Sequence, residues 1–284
     1  MKTVLVTGSN GQLGSELRVA AASYPQFRFV FTDVQELDIT NEVAVHNFFA
    51  AEKIDVVINC AAYTAVDKAE EEEDLCYRIN CNAVEILGKA AAGFNAAILH
   101  VSTDYVFNGK SYIPYTEDLP VAPASVYGKS KLAGEQALMQ VNPSAVIVRT
   151  SWLYSSFGAN FVKTMLKLGR ERDELRVVFD QVGTPTYAAD LANALLHIAE
   201  HTAIHPGVFH YSNEGVCSWY DFTIAIHKLA GVNCRVLPIE SSEYPAKTLR
   251  PHYSVLNKAR IKSVYGLQIP HWEDGLKRCM ALLD

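Results

Sequence analysis

Paired cysteines, long apolar runs and an excess of positive charge are all missing from this sequence. The six cysteines (Cys60, Cys76, Cys81, Cys217, Cys234 and Cys279) are scattered without a CxxC spacing, and several sit inside apolar stretches as small core residues do. A disulfide framework and a thiolate zinc site are therefore not expected. No stretch approaches the roughly 20 apolar residues of a membrane span. The opening Met-Lys-Thr-Val-Leu-Val-Thr-Gly is too short in apolar length for a secretory signal, so a reducing cytoplasm is the expected compartment. With 25 basic residues against 31 acidic ones the net charge is −6, which argues against nucleic acid or an anionic membrane as a partner. Neither a GxSxG elbow nor an HExxH helix occurs, so hydrolase and zincin chemistry have no anchor. His197, His201 and His205 recur at helical spacing without a carboxylate partner and read as a solvated helix face rather than a zinc site.

What remains is a 284-residue chain, long enough to bury a core without staples. Short β-branched runs alternate with amphipathic stretches. Strands are predicted at Val4–Thr7, Phe29–Thr32, Val56–Cys60, Ile98–Ser102, Val146–Thr150, Val177–Phe179 and Val208–Tyr211. Helices are predicted at Leu13–Ala22, Val43–Ala51, Leu75–Ala92, Val126–Gln140, Phe161–Leu168, Ala189–Glu200 and Tyr220–Leu229, with a last one at Leu276–Leu283. Strands that are apolar throughout, rather than alternating, are the mark of parallel strands covered on both faces. The expected fold is therefore α/β, a Rossmann-type doubly wound parallel sheet. Residues 1–151 are read as a dinucleotide-binding domain. Residues 152–284 are read as mainly a smaller, interleaved substrate-binding lobe, with about 176–210 returning to the sheet.

The first strand runs straight into Gly8-Ser9-Asn10-Gly11-Gln12-Leu13-Gly14 and then an apolar helix. GxxGxxG in a strand–turn–helix context aims backbone N–H groups and a helix N-terminus at a pyrophosphate. Gly8 allows the tight turn, Gly11 the close approach and Gly14 the helix–sheet contact; Asn10, Gln12 and Leu13 belong to the same cofactor-contacting segment. The next strand ends at Asp33, where a carboxylate accepts bonds from the adenosine ribose and repels a 2′-phosphate. After the third strand, Ala61, Ala62 and Tyr63 let the backbone run close to the cofactor.

Tyr127-Gly128-Lys129-Ser130-Lys131 is YxxxK at a helix start, with the phenol and the ammonium on one face. A neighbouring cation favours the phenolate, which makes Tyr127 a usable proton donor to a carbonyl. Lys131 is also positioned to bond the nicotinamide ribose. The preceding strand ends in Ser102-Thr103, at the crevice where such sheets bind ligands. Thr103 is favoured as the hydroxyl that orients the carbonyl, with Ser102 the competitor because adjacent strand residues face opposite ways.

These motifs, in this order, resemble the extended short-chain dehydrogenase/reductase superfamily. Thr7–Gly14, Ala61–Asp67, Ser102–Gly109, Arg149–Tyr154, Asp180–Thr186 and Arg250-Pro251 most resemble its dTDP-4-dehydrorhamnose reductase family. The resemblance implies reduction of the C4 ketone of a nucleotide sugar, dTDP-4-dehydro-L-rhamnose, with NADPH or NADH as reductant. It assigns Thr103, Tyr127 and Lys131 to catalysis and Asp38-Ile39 to the adenine side. Asp104, Tyr105, Val106, Trp152 and Arg250 fall on the substrate side, Arg250 as a diphosphate ligand or a surface ion pair. Some family members dimerise through Mg2+. Here only Glu16 and Asp190 occupy that neighbourhood, with Ala188 and Ala189 beside Asp190, too few oxygens for a hard cation. A monomer or homodimer without metal is expected. Two alternatives share the resemblance: a nucleotide-sugar 4-epimerase or 4,6-dehydratase, and a non-catalytic subunit like that of methionine adenosyltransferase. Intact Thr103, Tyr127 and Lys131 argue against the latter, and Tyr105 in place of a glutamate argues against a dehydratase.

Overall fold

Val4-Leu5-Val6 and Val56-Val57-Ile58 are apolar at every position, and such strands are stable only in a sheet covered on both faces. The computed structural model has that arrangement; it describes all residues except Thr202, 245–247 and Asp284. Strands β1 (Lys2–Thr7), β2 (Phe27–Thr32), β3 (Val56–Asn59), β4 (Ala97–Thr103) and β5 (Val146–Thr150) join a sixth, Gly207–His210, in one sheet. The order is β2-β1-β3-β4-β5 followed by Gly207–His210, and every neighbouring pair is parallel.

Helices Gln12–Ala20 and Ala188–Glu200 cover one face, where Leu13, Leu17, Leu191 and Leu195 meet Val4, Val6, Ile58 and Val148. Helices Glu42–Glu52, Ala83–Gly93 and Val126–Val141 cover the other, where Phe49, Leu87 and Leu138 meet Leu5, Val57, Ile98 and Ile147. This is the doubly wound sheet expected from the alternation of strands and helices. Because β2 is added on one side of β1 and β3 on the other, the connections after β1 and β3 diverge and leave a crevice at the strands' carboxyl ends.

Beyond Ser151 the chain builds a second cluster. Helices Phe161–Glu171, Trp219–Ala230 and Trp272–Met280 enclose Tyr154, Val162, Phe222, Ile226 and Leu276. Of the segment 176–210, the helix Ala188–Glu200 and the strand Gly207–His210 lie on the large sheet. The strand predicted at Val177–Phe179 does not: Glu174–Val178 pairs with Arg235–Ile239. Gly207–His210 already fills the β5 edge, and Leu175 and Val177 face the second cluster instead.

Other departures have local causes. The helix predicted over Leu75–Ala92 is interrupted by a π-helical turn, Arg78–Asn82, between Glu73–Tyr77 and Ala83–Gly93. The wide turn carries buried Asn80, whose amide bonds the backbone of Tyr63 (2.8 and 3.0 Å) and Ser130 Oγ (3.1 Å). Helix Ala259–Tyr265 was not anticipated; it buries only Ile261 and Tyr265, too few positions to show a period. The three histidines are not simply a solvated face: His197 Nε2 meets the Tyr265 carbonyl (2.9 Å) and the His201 ring stacks on Tyr265.

Candidate active site

The crevice is a cleft of about 910 Å³. Its floor is the glycine turn. Gly8 has φ +63°, and a Cβ there would stand 2.7 Å from the backbone of Ala61. A Cβ on Gly14 would meet Gly8 O and Ser9 Cα at 2.5 Å, so this glycine makes room for the turn itself rather than for the sheet. Gly11 caps the helix without a side chain, and no acid stands in its first turn. The N–H groups of the first turn are thus left for an external anion. Gly8, Gly11, Gln12, Leu13, Gly14, Asp33, Asp38, Ile39, Ala61 and Ala62 all line the cleft. Asp33 also braces the turn by accepting from Asn10 N (3.0 Å). Asp38 is held by the N–H and hydroxyl of Thr40 (2.9 and 2.7 Å), which keep its carboxyl below the usual range.

Neither Asn10 nor Tyr63 lines the cleft. Asn10 is exposed outside the cleft lining, and Tyr63 points its hydroxyl at Glu72 (2.5 Å). Arg78, Leu75 and Ile79 line the cleft and were missed, because the π-helical turn that aims them leaves no signal in the hydrophobic period.

Thr103, Tyr127 and Lys131 come together at the C-terminal end of β4. Thr103 ends the strand and accepts from Tyr105 N (3.2 Å) while donating to Asp104 Oδ1 (3.0 Å). Ser125 caps the Tyr127 helix by accepting from Gly128 N (3.1 Å). Gly128 itself is required, since a Cβ there would lie 2.4 Å from Tyr105 O. Burial pushes the Tyr127 phenol well above its ordinary value, and a hydrogen bond with Thr103 partly offsets the rise. Lys131 is 2% exposed and donates to Val101 O (2.8 Å). The competing hydroxyl, Ser102, also borders the cleft, but it is engaged by Glu135, donating to Oε1 (2.5 Å).

On the remaining side, Trp152 lines the cleft with φ +48°, a conformation that residues with side chains seldom adopt. Its ring stacks on Trp219 of the second lobe, centroids 3.5 Å apart and planes within 7°. Tyr105 borders both the cleft and a neighbouring pocket of about 200 Å³ that Arg250 also lines. Arg250 donates to Asp67 Oδ2 (2.9 Å), leaving its Nε without a partner. Val106 departs from expectation: it is fully buried with Phe107, Tyr115 and Leu256 and lines neither cavity, because the 3-10 turn Asp104–Val106 rolls it into the core.

Asp104 is buried, with Oδ2 unpartnered, and burial pushes its carboxyl up to about 7. A folded-state value above the unfolded one makes the ionised form a cost that grows as pH rises from about 4 to about 7. Asp104→Asn is accordingly expected to match the parent protein's stability near pH 4 and to exceed it near pH 8, read from thermal melts at both ends.

Glu16 Oε1 accepts from Ser155 Oγ (2.6 Å), and Asp190 Oδ2 accepts from Asn213 Nδ2 (2.7 Å) and Arg278 Nη2 (2.7 Å). Among the described residues no group of three or more His, Cys, Asp or Glu is placed to hold a metal ion, and no helix is long and apolar enough to cross a membrane.

Residues 1–284 match the family model for the RmlD substrate binding domain. The chain is similar to a dTDP-4-dehydrorhamnose reductase of Aggregatibacter actinomycetemcomitans, 42% identical over 100% of both sequences. Among solved structures it is similar to a dTDP-4-dehydrorhamnose reductase of Clostridium acetobutylicum, with a TM-score of 0.95 and 46% identity over 99% of each chain. A dTDP-4-dehydrorhamnose reductase of Bacillus anthracis in complex with NADP superposes with a TM-score of 0.94 at 41% identity, again over 99% of each chain.

Proposed function

The chain belongs to the RmlD substrate binding domain family, and from that membership we propose that it reduces the C4 ketone of dTDP-4-dehydro-L-rhamnose to give dTDP-L-rhamnose. The observation that carries this reading is the convergence of Thr103, Tyr127 and Lys131 on one wall of the cleft whose floor is the glycine turn. Gly8, Gly11 and the first helical turn would hold a dinucleotide's diphosphate, and Asp33 its adenosine ribose. A reduced nicotinamide, when bound, supplies the hydride that the carbonyl carbon accepts.

The chain's own residues do the rest. Thr103 Oγ1 holds the C4 oxygen in line with the phenol. Tyr127 Oη gives that oxygen its proton as negative charge develops on it. The Lys131 ammonium, one helical turn away, offsets the charge left on the phenolate. Trp152, braced from behind by Trp219, offers an apolar face to the sugar ring, and Arg250 meets the nucleotide's phosphates with the fork that Asp67 holds.

The test is oxidation of NADPH and of NADH by the purified protein with dTDP-4-dehydro-L-rhamnose, the product identified by NMR. Stoichiometric oxidation with formation of dTDP-L-rhamnose is expected. A folded protein that binds dinucleotide but oxidises neither would sink the proposal and favour an epimerase that cycles a retained cofactor. Relaxing Asp33 tests the cofactor side: Asp33→Ala is expected to raise kcat/KM for NADPH relative to NADH, because the carboxylate no longer opposes a 2′-phosphate. An unchanged ratio would mean that Asp33 serves only to brace Asn10.

A further inference from the structure

A row of polar side chains crosses the apolar sheet behind Lys131. Thr7 in β1, Asn59 in β3 and His100 in β4 stand in register, Thr7 opposite Asn59 and Asn59 opposite His100, and none of them is exposed to solvent. Buried polar groups in a sheet core are costly unless every one is satisfied, so the donors and acceptors can be followed in sequence.

Asn59 Oδ1 accepts from Thr7 Oγ1 (2.7 Å) and from the backbone N–H of Ala61 (3.1 Å). The Ala61 N–H can only donate, so it fixes the amide: a flipped Asn59 would set NH2 against N–H. Asn59 Nδ2 therefore donates, and it faces His100 Nδ1 at 3.0 Å. That nitrogen must be the acceptor. A neutral imidazole with an accepting Nδ1 carries its proton on Nε2, which faces Lys131 Nζ at 3.4 Å. An ammonium has no lone pair to receive an N–H; a neutral amine does. Lys131 Nζ keeps its other bond, to Val101 O.

We propose that His100 is a positioning residue, locked as the Nε2–H tautomer, whose N–H disfavours the ammonium of Lys131 relative to the neutral amine. The other groups around Lys131 do not counter it fully. Glu135, one turn along the same helix, is already engaged by Arg149 and Ser102. Cys60 after β3 and Cys76 from the Glu73–Tyr77 helix are thiols that burial pushes up, Cys60 to about 12, so both stay uncharged. Tyr127 is likewise held neutral by burial. Burial lowers Lys131 to about 8 even against the opposing charge of Glu135, and the His100 N–H acts in the same direction as burial. The ammonium that offsets the Tyr127 phenolate is thereby lost at a lower pH than an ordinary lysine would lose it.

Two measurements decide this. The first needs no substrate: long-range 1H–15N correlation of histidine-labelled protein, with His100→Asn identifying the resonance among the nine histidines. The Nε2–H pattern is expected, unchanged from about pH 6 to about pH 9. An Nδ1–H or charged ring would overturn the proposal whatever the protein turns over.

The second rests on the reductase reading and is the pH profile of kcat/KM. His100→Asn keeps an acceptor for Asn59 but withdraws the N–H from Lys131, and its basic limb is expected to move up by about one pH unit. His100→Gln, which returns an N–H near the Nε2 position, is expected to restore the parent limb. Equal losses of activity in both variants with the limb unmoved would make His100 merely structural and overturn the proposal. Absence of turnover in the parent protein would sink the reductase reading alone and leave the tautomer to decide for His100.

Discussion

Tyr127→Phe is expected to lower turnover by about 10²–10⁴-fold while leaving dinucleotide affinity nearly unchanged. The ring stays, so the edge-to-face contact with Tyr105 (centroids 5.4 Å) and the packing beneath it are kept; only the proton donor goes. Thr103 cannot take over, because an aliphatic hydroxyl is a far weaker acid than a phenol and can orient the carbonyl oxygen without giving up its proton. Initial rates of reduced-nicotinamide loss, with cofactor binding followed separately by fluorescence, would check both halves. Turnover within a factor of a few of the parent would move the proton-donor role to another group.

The second large effect is on stability. Glu135 and Arg149 form a buried ion pair, 3% and 4% exposed, with Arg149 donating from Nε (2.9 and 3.2 Å) and Nη2 (2.6 Å). Glu135→Ala strands the guanidinium in the core and is expected to cost about 3–5 kcal/mol. Replacing both partners together, Glu135→Leu with Arg149→Met, is expected to recover most of that loss, because no charge is then left unpaired. Urea unfolding midpoints at constant slope would measure the difference. A single variant as stable as the parent would mean that water reaches Arg149. The pair also fixes the back of the catalytic strand, since Ser102 donates to the same carboxylate and so turns Thr103 toward the cleft.

The parts of this molecule legible in its sequence are those that repeat or that chemistry restricts to few residue types. Six strand positions were readable because parallel strands covered on both faces must be apolar throughout. The glycine turn was readable because only glycine fits at Gly8, and the Tyr127–Lys131 pair because helical spacing brings i and i+4 together. What stayed hidden depends on tertiary contacts. Val106 follows Asp104 and Tyr105 in a string that resembles a sugar site, yet a single 3-10 turn sends its side chain to Phe107 and Tyr115. The pairing of Glu174–Val178 with Arg235–Ile239 joins segments too far apart in the chain for any local pattern to reveal. Thr7, Asn59 and His100 did leave a trace, a polar residue in each of three apolar runs. Its meaning needs the register that aligns them.

The π-helical turn at Arg78–Asn82 is in effect one residue more than an α-helix requires. Removing a residue there would let the helix run on without a break, but everything on one side of the cut would turn by about 100° relative to the other. Leu75 and Arg78, which face the cleft, would be swung off it, and Asn80 would lose the backbone of Tyr63. Chain length in this stretch is therefore under tighter constraint than residue identity. Apart from Asn80, substitutions there leave the wall of the cleft facing inward, whereas a single deletion rebuilds it with the wrong side chains.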